Sequence, residues 1–222
     1  KQYDVLVSAD LSSPIESWAG LEGSQNIAAD PSGTNTLDID RPFPGLGFLA
    51  IRAKDPPPLF SEDFENGDGG WTNVTNDPAG NTEWQFGTPN GSGPTSGADG
   101  SANAWSTNLG DYGPDSDISL RSPAIDLTTV GGAVLSFDAY RDGDGFGDTA
   151  TVRFLRASDQ AGLGAETPID MSVFDGDYEK VEIPVPVEAI GESILIEINF
   201  LSDDSADPYS GLSIDNVSLS AN

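Results

Sequence analysis

Short runs in which apolar and polar residues alternate constrain the fold of this chain more than any other feature. In AVLSFDAYR, residues 133–141, the apolar side chains Leu135, Phe137 and Ala139 share one face. Similar runs recur as TATVRFLRA and SILIEINF, and Gly, Pro, Asn and Asp separate them. Helical periodicity is nearly missing, apart from a short turn predicted at residues 187–190. This pattern predicts an all-β fold, a sandwich or a barrel.

Two of the runs carry more specific predictions. KVEIPVPV places Pro184 and Pro186 on one face, which predicts a strand at a sheet edge because proline cannot donate to the ladder. GLSIDNVSLS changes phase between Ile214 and Val217. A bulge at Asp215-Asn216 would place both halves of this strand in the core. The alternative is that only one half is buried.

The proline run at residues 56–58 favours an extended, stiff linker and divides the chain into residues 1–55 and 59–222. The first part contains the strand-like pieces YDVLVSADL, TLDID and GFLAIRA. We expect it to be a small β module, a segment of one, or strands that pair with another domain or copy. Because the chain begins at Lys1 without a signal peptide, we expect a processed mature protein or a piece of a longer one.

The charge and the missing residue types exclude several classes of function. The chain has 37 acidic against 9 basic residues, a net charge of −28, so we expect no nucleic-acid binding. No apolar run approaches the roughly 20 residues that span a bilayer, so we expect no membrane insertion. Histidine and cysteine are absent, which excludes Ser-His-Asp and Cys-His catalysis as well as His or Cys zinc sites. Oxygen ligands for calcium are plentiful. Carboxylate pairs arise by chance among so many acids, so we predict no enzymatic activity.

The loop RDGDGFGD, residues 141–148, has the acidic spacing of a cation site. An EF-hand is excluded, because Phe146 and Arg153 occupy positions that need oxygen ligands. We interpret the loop as a hairpin tip, either a solvated turn or one half of a site completed by SDDSADPYS, residues 202–210. The second possible cation or ligand site then comprises Asp142, Asp144, Asp148, Asp203, Asp204 and Asp207.

Six motifs occur in a fixed order: EDFENGDGGW, EWQFG, GPTSGADGSANAW, LRSPAIDL, AVLSFDAY and GLSIDNVSL. Together they resemble MAM-like and cleaved-adhesin-like modules, the bacterial extracellular group of the gingipain adhesin domains. The resemblance implies a two-sheet antiparallel jelly-roll sandwich outside the cell, here preceded by the small β segment. The absence of cysteine favours the bacterial branch over the disulfide-bonded receptor domains.

The resemblance also implies a calcium ion that joins the first strand of the sandwich to the last. The residues that match this pattern are Asp63, Glu65, Asp99 and Asp215. The predicted bulge independently aims Asp215 at such a site. Without the resemblance, the alternative is that these acids simply decorate loop ends.

Aromatic side chains are the candidates for ligand contact, since a flat ring suits the apolar face of a sugar. We consider Trp71, Trp84 and Trp105, although core packing is the commoner role of tryptophan. Tyr140 and Arg141, beside the aspartate loop, form the candidate polar contact patch.

We therefore expect a non-catalytic, calcium-stabilised adhesion or carbohydrate-binding module at the surface of a bacterium. Its partner would be a polysaccharide or a cell-surface protein. The alternative is a structural subunit of a surface layer, sheath or filament that self-assembles through β-strand and cation-bridged contacts.

Overall fold

The structure, a computed structural model, describes residues 1–29, 36–40, 42–76, 80–205 and 209–222. Contacts divide the chain into two units, Lys1–Pro57 and Pro58–Asn222. The boundary lies inside the proline run, where ladder hydrogen bonds cannot continue. In the described ranges, no helix is long and apolar enough to cross a membrane.

The first unit contains a small antiparallel sheet. Its strands are β1 (Gln2–Ser8), β2 (Ala19–Gly20), β3 (Ile27–Ala28) and β4 (Phe48–Lys54). β4 pairs along the whole of β1, while β2 and β3 pair with its opposite edge. The predicted strand TLDID is wrong: residues 36–40 are irregular, and two of these five residues are aspartates, which are depleted in strands.

The second unit is an antiparallel two-sheet sandwich, as predicted. Its strands are β5 (Phe60–Glu62), β6 (Thr72–Thr75), β7 (Trp84–Gly87), β8 (Ala104–Thr107), β9 (Asp117–Arg121), β10 (Ile125–Asp126), β11 (Ala133–Asp142), β12 (Thr149–Arg156), β13 (Gly162–Ile169), β14 (Glu179–Pro184), β15 (Ser193–Leu201) and β16 (Gly211–Ala221). Sheet I has the order β14-β11-β16-β8-β7, with β5 also paired to β16. Sheet II has the order β13-β12-β15-β9-β6, with β10 also paired to β15.

The alternating residues of the long strands form the core between the two sheets. Leu135, Phe137 and Ala139 of β11 are fully buried, and so are the isoleucines of β15. The predicted turn is a 3-10 turn at Val187–Ala189. β14, which ends at Pro184, lies at an edge of sheet I, which confirms the prediction made from Pro184 and Pro186.

The predicted bulge in the last strand is also confirmed. Between β11 and β16, Ser136 is opposite Ser218 whereas Asp138 is opposite Asp215, so β16 carries one extra residue. Asn216 provides the bend with a φ of 48°. Both Ile214 and Val217 are consequently buried, because the bulge restores the inward face after the phase change.

The prediction of a hairpin around RDGDGFGD is wrong. β11 belongs to sheet I and β12 to sheet II, so residues 143–148 connect the two sheets at one end of the sandwich. The alternation of both strands fixes which residues point inward, but it carries no information on which sheet each strand joins.

Candidate functional sites

The bulge turns Asp215 towards the loop that precedes β8. Asp215 is fully buried, and its Oδ2 accepts hydrogen bonds from the Ala98 amide at 2.8 Å and the Ser101 hydroxyl at 2.7 Å. Oδ1 accepts from the amide of Asn216 at 2.7 Å. Burial raises the pKa of Asp215 above its ordinary range despite these donors, and the charge of Glu65 adds to the shift.

Glu65, three residues after β5, contacts the same loop from the other side. Its Oε1 accepts from the backbone amides of Ala102 at 3.0 Å and Asn103 at 2.8 Å. Thus the segment after β5, the loop 97–103 and the last strand are linked through the carboxylates of Glu65 and Asp215.

The other two residues of the predicted calcium set are less engaged. Asp99 is exposed in a 3-10 turn with a φ of 53°, and Asp63 is exposed and accepts from the Glu65 amide at 3.2 Å. In the part of the chain that the structure describes, these four acids do not form a group whose oxygens all lie within 4.8 Å of one another. The set therefore stays a prediction.

A second group does meet that distance: Asp144, Asp148 and Asp203. Asp144 Oδ1 accepts from the amides of Phe146 at 2.9 Å and Gly147 at 3.1 Å, and these bonds hold its pKa below the ordinary range. The loop thus wraps around its own aspartate, a turn that the flanking glycines permit.

Asp148 is buried at the centre of this group. The hydroxyl of Tyr112 donates to its Oδ2, and the amide of Asp144 donates to the same oxygen at 3.2 Å. The amide of Asp203 donates to Oδ1 at 3.2 Å. Burial, and then the bond to Asp148, raise the pKa of Tyr112, so the phenol remains a donor.

The loops 141–148 and 202–210 therefore meet, which was the condition set for a shared site. Asp142 Oδ2 accepts from the amide and the hydroxyl of Ser210, each at 3.0 Å. Asp204 is exposed. Asp207 lies outside the described residues.

Among the described residues of the second unit, two buried carboxylates form no ion pair with a lysine or arginine. Buried Glu197 forms ion pairs with Arg121 and Arg153. Within the described ranges, neither Asp148 nor Asp215 forms an ion pair with a lysine or arginine. A buried charge is costly unless it is paired or coordinates a metal, so both positions suit a hard cation with oxygen ligands.

The tryptophans correct the expectation of a sugar-stacking surface. Trp71, Trp84 and Trp105 are all buried in the core, where Trp71 packs edge-on against Phe64 with ring centres 5.9 Å apart. Apolar rings of this size are buried because they remove much surface from water. They are not available to a ligand.

The predicted contact patch is partly occupied by other side chains. Arg141 forms a two-point ion pair with Asp175, at 2.7 and 3.1 Å. Tyr140 is half-buried and packs edge-on against Tyr178, with ring centres 5.7 Å apart. Tyr140 and Arg141 therefore stay a prediction as ligand contacts, with less free surface than the sequence suggested.

Sequence reasoning missed the aromatic side chains that are exposed. Phe146 is 98% exposed in the turn of RDGDGFGD, and Phe174 is 59% exposed. The sequence did indicate the exposure of Phe146, since this large apolar residue lies between two glycines in a loop of aspartates. This residue served only to exclude an EF-hand.

No family model and no curated protein matches the sequence. Solved structures do resemble it. The K3 cleaved adhesin domain of the Lys-gingipain of Porphyromonas gingivalis matches with a TM-score of 0.52 and 19% identity, over 74% of this chain and 99% of that domain. A structure of carbohydrate-binding modules from the β-sandwich superfamily matches with a TM-score of 0.50 and 14% identity. The match covers 78% of this chain and 67% of the chain in that structure. These similarities show that the chain has a cleaved-adhesin-like β-sandwich fold, as its motifs predicted.

Proposed function

We propose that the second unit is an extracellular adhesion or carbohydrate-binding module without catalytic activity. The observation that carries the proposal is the sandwich fold, whose solved relatives include an adhesin domain and carbohydrate-binding modules. The acid whose pKa is raised, Asp215, is not placed for catalysis on a large substrate. It is fully buried beneath loop 97–103, so it cannot transfer a proton to a polysaccharide outside.

A panel of immobilised polysaccharides and intact bacterial cells tests this function. The full chain should bind at least one of them saturably and leave it chemically unchanged. Release of sugar fragments would overturn the non-catalytic assignment. The absence of any binding to polysaccharide or cells would overturn the adhesion assignment.

We further propose that the sandwich binds calcium. Support comes from Asp148 and Asp215, which are buried and form no ion pair with any basic residue that the structure describes, each at one of the two predicted sites, and from the net charge of −28. The ligand oxygens come from segments far apart in the sequence, so the free energy of binding would add to that of folding. Asp144, Asp148 and Asp203 would hold one ion, and Glu65 and Asp215 would contribute to the other.

A self-assembling subunit is the second candidate, and one feature of the first unit favours it. In the described residues, β4 pairs with β1 alone, while Leu49 and Ile51 on this strand are 52% and 74% exposed. An apolar edge strand can pair with another chain. Sedimentation over a range of concentrations, with and without calcium, distinguishes the candidates, because only a subunit of an assembly grows in mass.

A further inference from the structure

Phe146 is exposed on a turn that has little freedom. The Asp144 carboxylate accepts hydrogen bonds from the amides of Phe146 and Gly147, which fixes the backbone on both sides of the ring. Burying a phenylalanine side chain contributes about 1.5–3 kcal/mol to stability. This turn instead holds the ring away from the core, 98% exposed to solvent.

Two further aromatic side chains lie on adjoining segments. The backbones of Asp142 and Phe174 form a β-bridge, and the ring of Phe174 packs against that of Tyr209 with centres 5.8 Å apart. A Cβ placed on Gly145 would lie 3.7 Å from Ser172 Cα, so the turn carrying Phe146 touches the segment that leads to Phe174. We name Phe146, Phe174 and Tyr209 the aromatic end patch.

The arrangement of the patch is that of a binding surface. Exposed apolar residues scattered singly are normal, whereas a contiguous exposed apolar patch marks an interaction site. Since Trp71, Trp84 and Trp105 are in the core, this patch supplies the aromatic surface that a ligand of the sandwich would meet at this end.

The surroundings of the patch select the chemistry of its ligand. Asp204 is exposed and lies five residues before Tyr209 in the sequence, and its oxygens can accept hydrogen bonds from hydroxyl groups. The net charge of −28 opposes phosphate, sulfate and uronate groups as well as anionic lipid. A sugar ring without anionic groups has both an apolar face for the aromatic rings and hydroxyls for the carboxylates.

We propose that the aromatic end patch is the subsite for a polysaccharide without anionic groups, with Phe146 as its main stacking side chain. The inference rests on the proposed carbohydrate-binding function and adds the location and the ligand class. Phe174 and Tyr209 provide the second contact surface.

The test measures binding of the full chain to cellulose, xylan and chitin, with polygalacturonate as the anionic comparison and neutral phosphatidylcholine vesicles as the lipid one. Phe146→Ala and Phe174→Ala should each weaken binding to the uncharged polymers by about tenfold. Phe146→Trp, which keeps an aromatic ring at this position, should bind as well as the parent chain. Val187→Ala is the matched control, because it removes an exposed apolar side chain from the turn at Val187–Ala189, outside the patch. Thermal melts of the variants should coincide with that of the parent chain, since both rings are largely exposed.

Each alternative result has a distinct meaning. If both alanine variants bind an uncharged polymer as well as the parent chain does, the patch is not the subsite, while the proposed function survives. Preferred binding to polygalacturonate, or Phe146-dependent binding to vesicles alone, overturns the ligand class. If the parent chain binds no polysaccharide at all, both this inference and the carbohydrate-binding function fail.

Discussion

The backbone amide of Asp203 donates a hydrogen bond of 3.2 Å to the carboxylate of Asp148, joining two loops that are far apart in the sequence. Asp148 also accepts from Tyr112 and Asp144, so one buried side chain organises this end of the sandwich. The same carboxylate belongs to the group of three that suits a cation. Its role can be separated experimentally into a structural and a metal-binding part.

Calcium removal should destabilise the protein. A ligand at about a hundredfold excess over its Kd stabilises by about 2.7 kcal/mol, and a unit of this size loses about 2–4 °C in Tm per kcal/mol. We expect EDTA to lower the Tm by several degrees and excess calcium to restore it, measured by scanning calorimetry. Asp148→Asn should reduce the calcium-dependent difference, whereas the exposed Asp204→Asn should retain most of it. A Tm that EDTA leaves unchanged would contradict the proposal that calcium stabilises the sandwich.

Gly97 should not tolerate a side chain. A Cβ there would meet the Ser101 hydroxyl and the Asn103 carbonyl oxygen and would lie 2.6 Å from Asp215 Oδ2. Gly97→Ala should therefore lower the free energy of unfolding by about 1–3 kcal/mol in urea titrations, since overpacking displaces the loop. Gly131→Ala is the control, because nothing lies within 4 Å of its added Cβ. Equal stabilities of the two variants would contradict the described packing of loop 97–103 against Asp215.

Glu197 should contribute more to stability than an exposed acid does. It is fully buried between Arg121 and Arg153 on adjacent strands. Glu197→Gln leaves two guanidinium groups without their charge partner and should lower the free energy of unfolding by about 3 kcal/mol. This value is at the lower end of the cost of breaking a buried ion pair, because Arg153 is partly exposed.

Glu192→Gln is the matched comparison for that measurement. Its carboxylate lies 3.5 Å from Arg156 and its side chain is 40% exposed, so its loss should cost less than about 1 kcal/mol. Chemical denaturation of both variants gives the two values. Similar losses would show that burial does not set the strength of the Glu197 contacts.

Asp4 should make the first unit sensitive to acid. A hydrogen bond from Arg52, then one from the Asn26 amide and one from Lys54, hold the pKa of Asp4 far below its ordinary range. Because the folded-state pKa is depressed, this contribution to stability is present above the unfolded value of about 3.9 and is lost as the pH falls through the folded-state value. Hydrogen exchange of β1 and β4, corrected for intrinsic rates, should accelerate below about pH 4. The Asp4→Asn variant should be less protected at neutral pH and depend less on pH, and an identical pH profile would refute the role of Asp4.

Much of the sandwich was predictable because its strands obey a simple period. The alternation of β11 predicted the core face. Pro184 and Pro186 predicted the edge strand, and the phase change at Asp215 predicted the bulge. The connection between the two sheets through residues 143–148 was not predictable, because side chains alternate with the same period of two in a strand of either sheet. The tryptophans illustrate a further limit: ring chemistry suits both a core and a sugar, and only the packing around Trp71 and Trp84 decides between them.

The placement of β16 has a consequence for the order of folding. This strand lies between β11 on one side and both β5 and β8 on the other, so it joins parts of sheet I that otherwise have no shared ladder. Strands made early in synthesis must wait for a strand made last, and such non-local pairing is slow. Sheet I should therefore be completed only after β16 has been synthesised, whereas every strand of sheet II precedes β16 in the sequence.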